Sequence, residues 1–176
     1  MSRTRPATNA AAIGVALLVA LVACDPAPDV EPQVCRKPEA AVPELGVGNL
    51  ATGFQSIEDG AGVTVALGPQ GLHMVVLSMR LTGFELPTAG AKRTRVRASV
   101  RDQGKVIAGA DDPSVQPSKI DGDQVEFVGI RAIFQADEVD PLDGVLADFH
   151  ISVRDGCGRE IEATRQLVLE VPSADK

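Results

Sequence analysis

The chain has 176 residues and a formal net charge of −7 at neutral pH. This length suits one domain with a substantial core, and the acidic balance disfavours nucleic acid as a partner because phosphates carry the same sign of charge. The sequence has five Phe and neither Trp nor Tyr, which disfavours sites that stack exposed rings on sugars or bases.

The first 23 residues have the parts of a bacterial export signal. Arg3 and Arg5 are the only charged residues before Cys24, and residues 11–23 are apolar apart from Gly14. This run is shorter than the roughly 20 apolar residues that span a bilayer. We therefore predict a cleaved signal peptide. The alternatives are an ordinary buried segment and a membrane helix with an incidental cysteine.

The end of this run, Leu21, Val22, Ala23 and Cys24, resembles the lipobox of bacterial lipoproteins position by position. The resemblance implies cleavage after Ala23, a diacylglyceryl thioether on Cys24 and acylation of its new amino group. Two or three acyl chains hold a protein firmly to a membrane that it does not span. The resemblance thus predicts a protein of the cell envelope, anchored to the inner or outer membrane and facing the periplasm or the cell surface.

Residues 24–50 contain five prolines and no apolar period, so they are predicted to form an extended tether before a domain over residues 51–176. If Cys24 carries lipid, Cys35 and Cys157 remain in a compartment where thiols oxidise, and a disulfide between them is predicted. Two free thiols or pairing between chains are the alternatives. A metal site is disfavoured because two cysteines without a neighbouring histidine do not form a zinc set.

From Phe54 onward the apolar residues recur with a period of two, which is typical of half-buried strands. Strands are predicted over residues 63–67, 72–81, 94–101, 105–108, 124–134, 145–154 and 161–171. A change of phase at Gly129 predicts a β-bulge. Arg165 falls on an inward position, which predicts either a bulge or an edge strand there.

The connections between these strands are rich in turn residues. Residues 68–71 (GPQG) predict a turn, residues 102–104 (DQG) a tight hairpin, and residues 109–123 a polar loop. Residues 155–158 turn the chain and carry Cys157 near their tip. No amphipathic helix is predicted after residue 24.

Seven or eight short strands joined by such turns predict an all-β domain, and within that class an immunoglobulin-like or fibronectin-like β-sandwich. The Cys, Trp, Cys spacing of true immunoglobulin domains is absent, so this assignment concerns architecture alone. The chain also resembles small Gram-negative lipoproteins with one sandwich domain and a GPQG-x-H stretch, here residues 68–73. That resemblance implies the fold and no activity.

Asp148, His150 and Ser152 share one face of a predicted strand and superficially offer an acid, a base and a nucleophile. Same-face neighbours along a strand are about 6.6 to 6.8 Å apart. A working triad needs hydrogen bonds of about 2.6 to 3.2 Å and an oxyanion hole. We interpret the three as a solvated polar face, and no catalytic residue is predicted.

Two other groups are candidates for binding. His73 follows the GPQG turn, where a histidine either contacts a ligand or, more often, bonds a backbone carbonyl. Arg95, Arg97 and Arg101 form a basic stripe, together with Lys92, Arg93 and Lys105. The stripe could bind anionic groups of lipid A, peptidoglycan or an acidic partner, or it could pair with acids on adjacent strands.

Acidic residues cluster in two predicted loops, where their oxygens could bind Ca²⁺. The cluster comprises Asp111, Asp112, Asp121, Asp123, Asp137, Glu138, Asp140 and Asp143. No EF-hand loop is present, so solvated acids are the favoured interpretation and neither a metal nor a cofactor is predicted.

These patterns favour a non-enzymatic binding or scaffold module, anchored by lipid, whose partner is another envelope protein or a cell-wall component. The alternative is a ligand-binding receptor or an enzyme with a pocket among the loops near His73 and the acidic segments. A calcium-dependent binder is a third, less favoured hypothesis.

Overall fold

The structure, a computed structural model, describes residues 41–86, 94–135 and 139–173. These residues form eleven β-strands and one 3-10 helix, so the all-β prediction is confirmed. The strands are β1 Val42–Val47, β2 Gln55–Ser56, β3 Gly62–Thr64, β4 Ala66–Leu67, β5 His73–Thr82, β6 Thr94–Asp102, β7 Lys105–Val115, β8 Lys119–Asp121, β9 Gln124–Phe134, β10 Leu146–Arg154 and β11 Glu160–Glu170, and the 3-10 helix is Asp140–Leu142.

Seven of the strands have six or more residues and four have two or three, so the predicted total of seven or eight is too low. Strands β2 and β8 escape detection because two or three residues are too few to establish an alternating pattern, and β3 and β4 were predicted as one strand. Within the described ranges, no helix has the length and apolar character needed to cross a membrane.

The strands form one sheet in the order β2-β1-β5-β9-β7-β6-β10-β11-β3, with β4 beside β5 and β8 beside β9. Neighbours are antiparallel except β3 and β11, which run parallel with Gly62 beside Val168. Strands β7 and β9 pair through only two positions, Ala108 with Phe134 and Gly109 with Ile133. This short junction divides the sheet into a first set (β2, β1, β5, β9, with β4 and β8) and a second set (β7, β6, β10, β11, β3).

The core forms where the apolar sides of both sets meet. Alternate residues of β5, from Val75 to Leu81, are fully buried, and Phe127 of β9 and Phe149 of β10 are the largest buried side chains. Phe84 packs against Phe127 edge to face, with ring centroids 5.7 Å apart. The period of two therefore places the core residues correctly on the long strands.

The predicted turns and the bulge are confirmed. The N–H of Gly71 donates to the carbonyl of Gly68 at 2.9 Å. Gln103 and Gly104 close the β6–β7 hairpin with φ of 47° and 81°, the left-handed region that glycine adopts at little cost. The register of β9 against β5 shifts between Leu77 and Met79, which places Gly129, with φ of 77°, in the bulge.

The tether prediction fails at its C-terminal end. Strand β1 begins at Val42, inside residues 24–50, and its Leu45 is fully buried. This strand was not recognised in the sequence because it contains Pro43. The proline is tolerated there because β2 pairs only with Gly46 and Val47 of β1, which leaves Pro43 beside an open edge.

The predicted polar loop over residues 109–123 is also wrong. Strand β7 continues to Val115 and β8 follows it. Residues 111–114 are exposed, so this part of β7 carries no apolar alternation that a sequence pattern could detect. The predicted strand over 63–67 is interrupted, because β3 pairs with β11 whereas β4 pairs with β5.

Arg165 occupies an edge position, one of its two predicted alternatives. The register between β10 and β11 is unbroken, and β3 covers only Val168–Glu170 of β11. The backbone of β11 beside Arg165 therefore has β10 as its only strand neighbour among the described residues.

Candidate functional site

The candidate site is the solvent-facing side of the second set of strands, which we call the polar face. Alternation along β6, β7, β10 and β11 brings its side chains to one surface. The polar face comprises Arg95, Arg97, Arg101, Asp111, Asp148, His150, Ser152, Arg154, Glu160, Glu162 and Gln166.

Asp111 of β7 holds two arginines of the basic stripe. Arg95 donates to it through Nε at 2.7 Å and through a second guanidinium nitrogen, and Nε of Arg97 lies 3.7 Å from the same carboxylate. The hydrogen bond from Arg95 is the main reason that the pKa of Asp111 is lowered from its usual value, and the same bond raises the pKa of Arg95. Both side chains are about half exposed, so the contact orders the face more than it stabilises the fold.

Glu160 of β11 is a second acidic centre on this face. Its carboxylate lies 3.3 Å from a guanidinium nitrogen of Arg97 and 3.9 Å from one of Arg154. It also accepts a hydrogen bond of 3.1 Å from the hydroxyl of Ser152, which is buried. Arg97 therefore links Asp111 and Glu160 across three strands.

The acid, base and nucleophile pattern of β10 does not assemble into a triad. The carboxylate of Asp148 accepts from Gln166 at 2.9 Å, Nε2 of His150 lies 3.5 Å from Glu162, and Ser152 donates to Glu160. Each of the three side chains contacts a different residue of β11, and none bonds another. The interpretation as a polar face agrees with these contacts, although Ser152 is buried rather than solvated.

Arg101 differs from the other arginines of the stripe. It is exposed at the end of β6, and it forms no ion pair with the residues that the structure describes. Together with Arg97, Ser99 and His150 it borders a shallow depression of about 350 Å³. Lys92 and Arg93 lie outside the described residues. Within the described part of the stripe, Arg101 and Lys105 are exposed and form no ion pair with described residues, and Arg101 is the one that borders this depression.

His73 and the acidic residues do not form one site. His73 begins β5, and its imidazole bonds none of the residues described here, so the contact with a backbone carbonyl is not found. Asp121 and Asp123 lie beside the other end of β5, where Thr82 pairs with Gln124. Nine residue steps of about 3.3 Å separate the two ends by roughly 30 Å.

Of the other acids that the structure describes, Asp140 and Asp143 border one depression, and the rest lie elsewhere. Asp111 accepts a hydrogen bond from Arg95, and Asp143 accepts one from the N–H of Val171 at 2.9 Å. Asp137 and Glu138 lie outside the described residues. Across the ranges that the structure describes, no three His, Cys, Asp or Glu side chains come together as metal ligands would.

A cluster around Arg80, on the outer side of the first set, was missed by the sequence analysis. Arg80 lies 3.0 Å from Glu126 and 3.7 Å from Glu44, and its guanidinium carbon sits 4.2 Å from the centre of the Phe54 ring. Gly46 allows this ring to approach, because a Cβ there would lie 2.6 Å from it. The only signal for this cluster in the sequence was an arginine at an outward position of an apolar strand. The partners of that arginine depend on how the strands pair, which the sequence does not reveal.

Cys157 lies in a turn that is stabilised by hydrogen bonds among its own residues. Buried Asp155 accepts from the N–H groups of Cys157 and Arg159 at 2.9 and 2.8 Å and from Nε of Arg159 at 2.7 Å. The adjacent Gly156 donates to the carbonyl of Glu85 at 2.7 Å. Cys24 and Cys35 lie outside the described residues, so lipidation and the disulfide remain predictions.

The chain enters the sheet at the same end as this turn. Strand β1 begins with Val42 beside Thr82, and Gly83 lies against Ala41. Residues 83–85 thus connect the start of β1 with the Cys157 turn. Six residue steps separate Cys35 from Ala41, and an extended chain of that length reaches about 20 Å.

Neither a protein-family model nor a curated protein sequence matched this chain. The site is therefore interpreted from its own geometry.

Proposed function

We propose that this protein is a lipid-anchored module of the bacterial envelope that binds or organises another envelope component without catalysing a reaction. The observation that carries the proposal is the entry of the chain at the end of the sheet that also bears the Cys157 turn. A tether from Cys24 and a Cys35–Cys157 disulfide would both attach at this end. The polar face and the opposite end of the sheet would then remain accessible to a partner.

The two sets of strands support an immunoglobulin-like sandwich as the finer description of the fold. Strands β1, β5 and β9 would form one layer, and β7, β6, β10 and β11 the other. Strands β3 and β4 would then be one strand that changes layer partway along its length. Contact between β1 and β11, which are far apart in the sheet order, supports two facing layers.

The partner that best suits the polar face is a protein or a cell-wall component with exposed carboxylates. Arg101 supplies a cation that has no partner among the described residues, and the neighbouring depression is open and shallow. Arginine is enriched in contacts between proteins, whereas small-molecule sites are usually concave and mostly apolar.

The anchor is tested by labelling cells with an alkyne analogue of palmitate and analysing the purified protein by mass spectrometry. We expect label on a peptide that begins at Cys24, and loss of label in Cys24→Ala. Cys157→Ser is the matched control, because it removes a cysteine outside the lipobox and should keep the label. An unmodified N-terminus that retains residues 1–23 would refute the anchor.

The binding role is tested by placing a photo-reactive amino acid at position 99, which borders the same depression and leaves Arg101 in place, and irradiating living cells. We expect discrete cross-linked products on the polar face, and fewer products when the same amino acid replaces Leu50, an 82% exposed residue outside this face. Equal labelling from both positions would argue against a partner on the polar face.

A further inference from the structure

The junction between the two sets of strands leaves a groove. Pairing between β7 and β9 stops at Gly109 and Ile133. Beyond this point, residues 110–112 of β7 pair with β6, residues 130–132 of β9 pair with β5, and no described strand lies between the sides that face each other. The space between these edges has a volume of about 540 Å³, within the range of natural peptide and ligand sites.

The geometry points to this groove as the binding site for an extended strand of a partner protein. The inference rests on the proposed binding function and deepens it by naming the kind of partner. Open strand edges present rows of backbone N–H and C=O groups, and a polypeptide strand is the ligand whose own backbone complements them.

The residues at the floor and at the rim of the groove predict which kinds of side chain should alternate along the bound strand. Ile130 is buried at the floor, and Ile133 at its end is 40% exposed. Asp112 on the β7 rim and Arg131 on the β9 rim are exposed and form no ion pair with described residues. Because successive side chains of a strand point to opposite faces, the occupant should alternate apolar residues toward the floor with charged residues toward the rim.

The open edge is short, which fits a partner segment of only a few residues. Pro113 has no N–H to offer, and the register of β7 against β6 shifts between Asp112 and Val115. Such features protect natural edges from unrestricted pairing. The groove is therefore suited to a short strand and resists the growth of a continuous sheet.

A display library of random heptapeptides, selected on the full chain purified from cells, tests this inference. We expect binders that alternate apolar and charged residues and whose affinity falls at least about tenfold in Ile133→Lys. Ile120→Lys is the matched control, because Ile120 is 48% exposed on β8 and does not line the groove. It should change the affinity less than about twofold, well under one tenfold step.

Two further measurements keep the inference falsifiable if Ile133→Lys disturbs folding. Arg131→Glu changes an exposed side chain and should select peptides with the opposite charge preference. Nuclear magnetic resonance should show that a selected peptide shifts the amides of residues 110–112 and 130–132.

Three results would overturn the groove as a binding site. They are equal binding to Ile133→Lys and Ile120→Lys, amide shifts confined to other strand edges, and a library that yields no binder. The proposed function is tested by different measurements, which are the acyl label at Cys24 and the cross-links at position 99. A wrong groove is therefore distinguishable from a wrong function.

Discussion

Replacing Arg80 by Met should show how much the cluster around this residue contributes to the stability of the fold. Met keeps much of the apolar stem but removes the guanidinium, which contacts Glu126 at 3.0 Å and lies over the Phe54 ring. Glu126 would then be left with a side chain only 8% exposed and without its cation.

The expected magnitude follows from these contacts. Removing one partner of a buried ion pair costs about 3 to 5 kcal/mol, and a cation–π contact contributes about 0.5 to 1 kcal/mol. Arg80 is 32% exposed, so water can enter its place and solvate Glu126. We therefore expect a loss of about 2 to 3 kcal/mol, or a fall in Tm of about 5 to 10 °C for a domain of this size.

The assay is a double-mutant cycle of Arg80→Met, Glu126→Leu and the double variant, measured by urea unfolding. Far-ultraviolet circular dichroism is the appropriate probe because the chain has neither Trp nor Tyr. Replacing both charges should restore most of the stability, since a buried pair can often be exchanged for apolar residues at little net cost. Arg131→Met, which removes an exposed arginine, is the matched control and should change stability by less than about 0.5 kcal/mol.

The reasoning is refuted if the effects of the two single variants simply add. A coupling energy under about 0.5 kcal/mol would mean that Arg80 and Glu126 do not depend on each other.

Three further outcomes are expected. Gly46→Ala should cost about 1 to 3 kcal/mol because its Cβ would lie 2.3 Å from a backbone oxygen, whereas Gly109→Ala, with 3.5 Å of space, should cost less than about 0.5 kcal/mol; equal urea midpoints would contradict this. A carboxyl titration by nuclear magnetic resonance should find the pKa of Asp111 below its usual range and higher in Arg95→Met. The contribution of this pair to folding should be present above the unfolded pKa of about 3.9 and should be lost as the pH falls through the lowered folded value; an unchanged Asp111 titration in the variant would exclude Arg95 as the cause. If the disulfide forms and Cys24 carries lipid, the folded mature protein should have no alkylatable thiol before reduction, and Cys157→Ser should cost up to about 4 to 5 kcal/mol in the chain-entropy model; two reactive thiols would rule the bond out.

The alternating pattern predicted the long strands well because burial on one side of a sheet imposes a period of two on the sequence. Strand β9 has the predicted bounds, and the bulge at Gly129 could be predicted because it changes the phase of that period. Strand β1 and the second half of β7 were missed for the opposite reason. Their residues include Pro43 and the exposed Asp111, which do not fit an apolar alternation. These segments are strands because they pair with neighbouring strands.

The arginines and the β10 side chains of the candidate site were predictable from the sequence, but their partners were not. The sequence places Arg95, Arg97 and Arg101 on one face, and it raises pairing with acids of adjacent strands as one interpretation. It does not reveal that Asp111 and Glu160 are those acids, because a partner depends on which strand lies alongside and in what register. The groove between β7 and β9 likewise arises where pairing stops, which is a property of the fold and not of a motif.

The parallel pairing of β3 with β11 has a consequence for how the protein can be made. Gly62 meets Val168, a residue more than a hundred positions later, so this edge closes only after nearly the whole chain has been delivered. A product that ended after β10 would leave β3 without its partner and Leu167 and Leu169 missing from the core. Such distant pairings slow folding, because a long loop must be closed before the contact is gained. During synthesis the incomplete chain would be exposed to proteases for longer than a protein of the same size built from local hairpins.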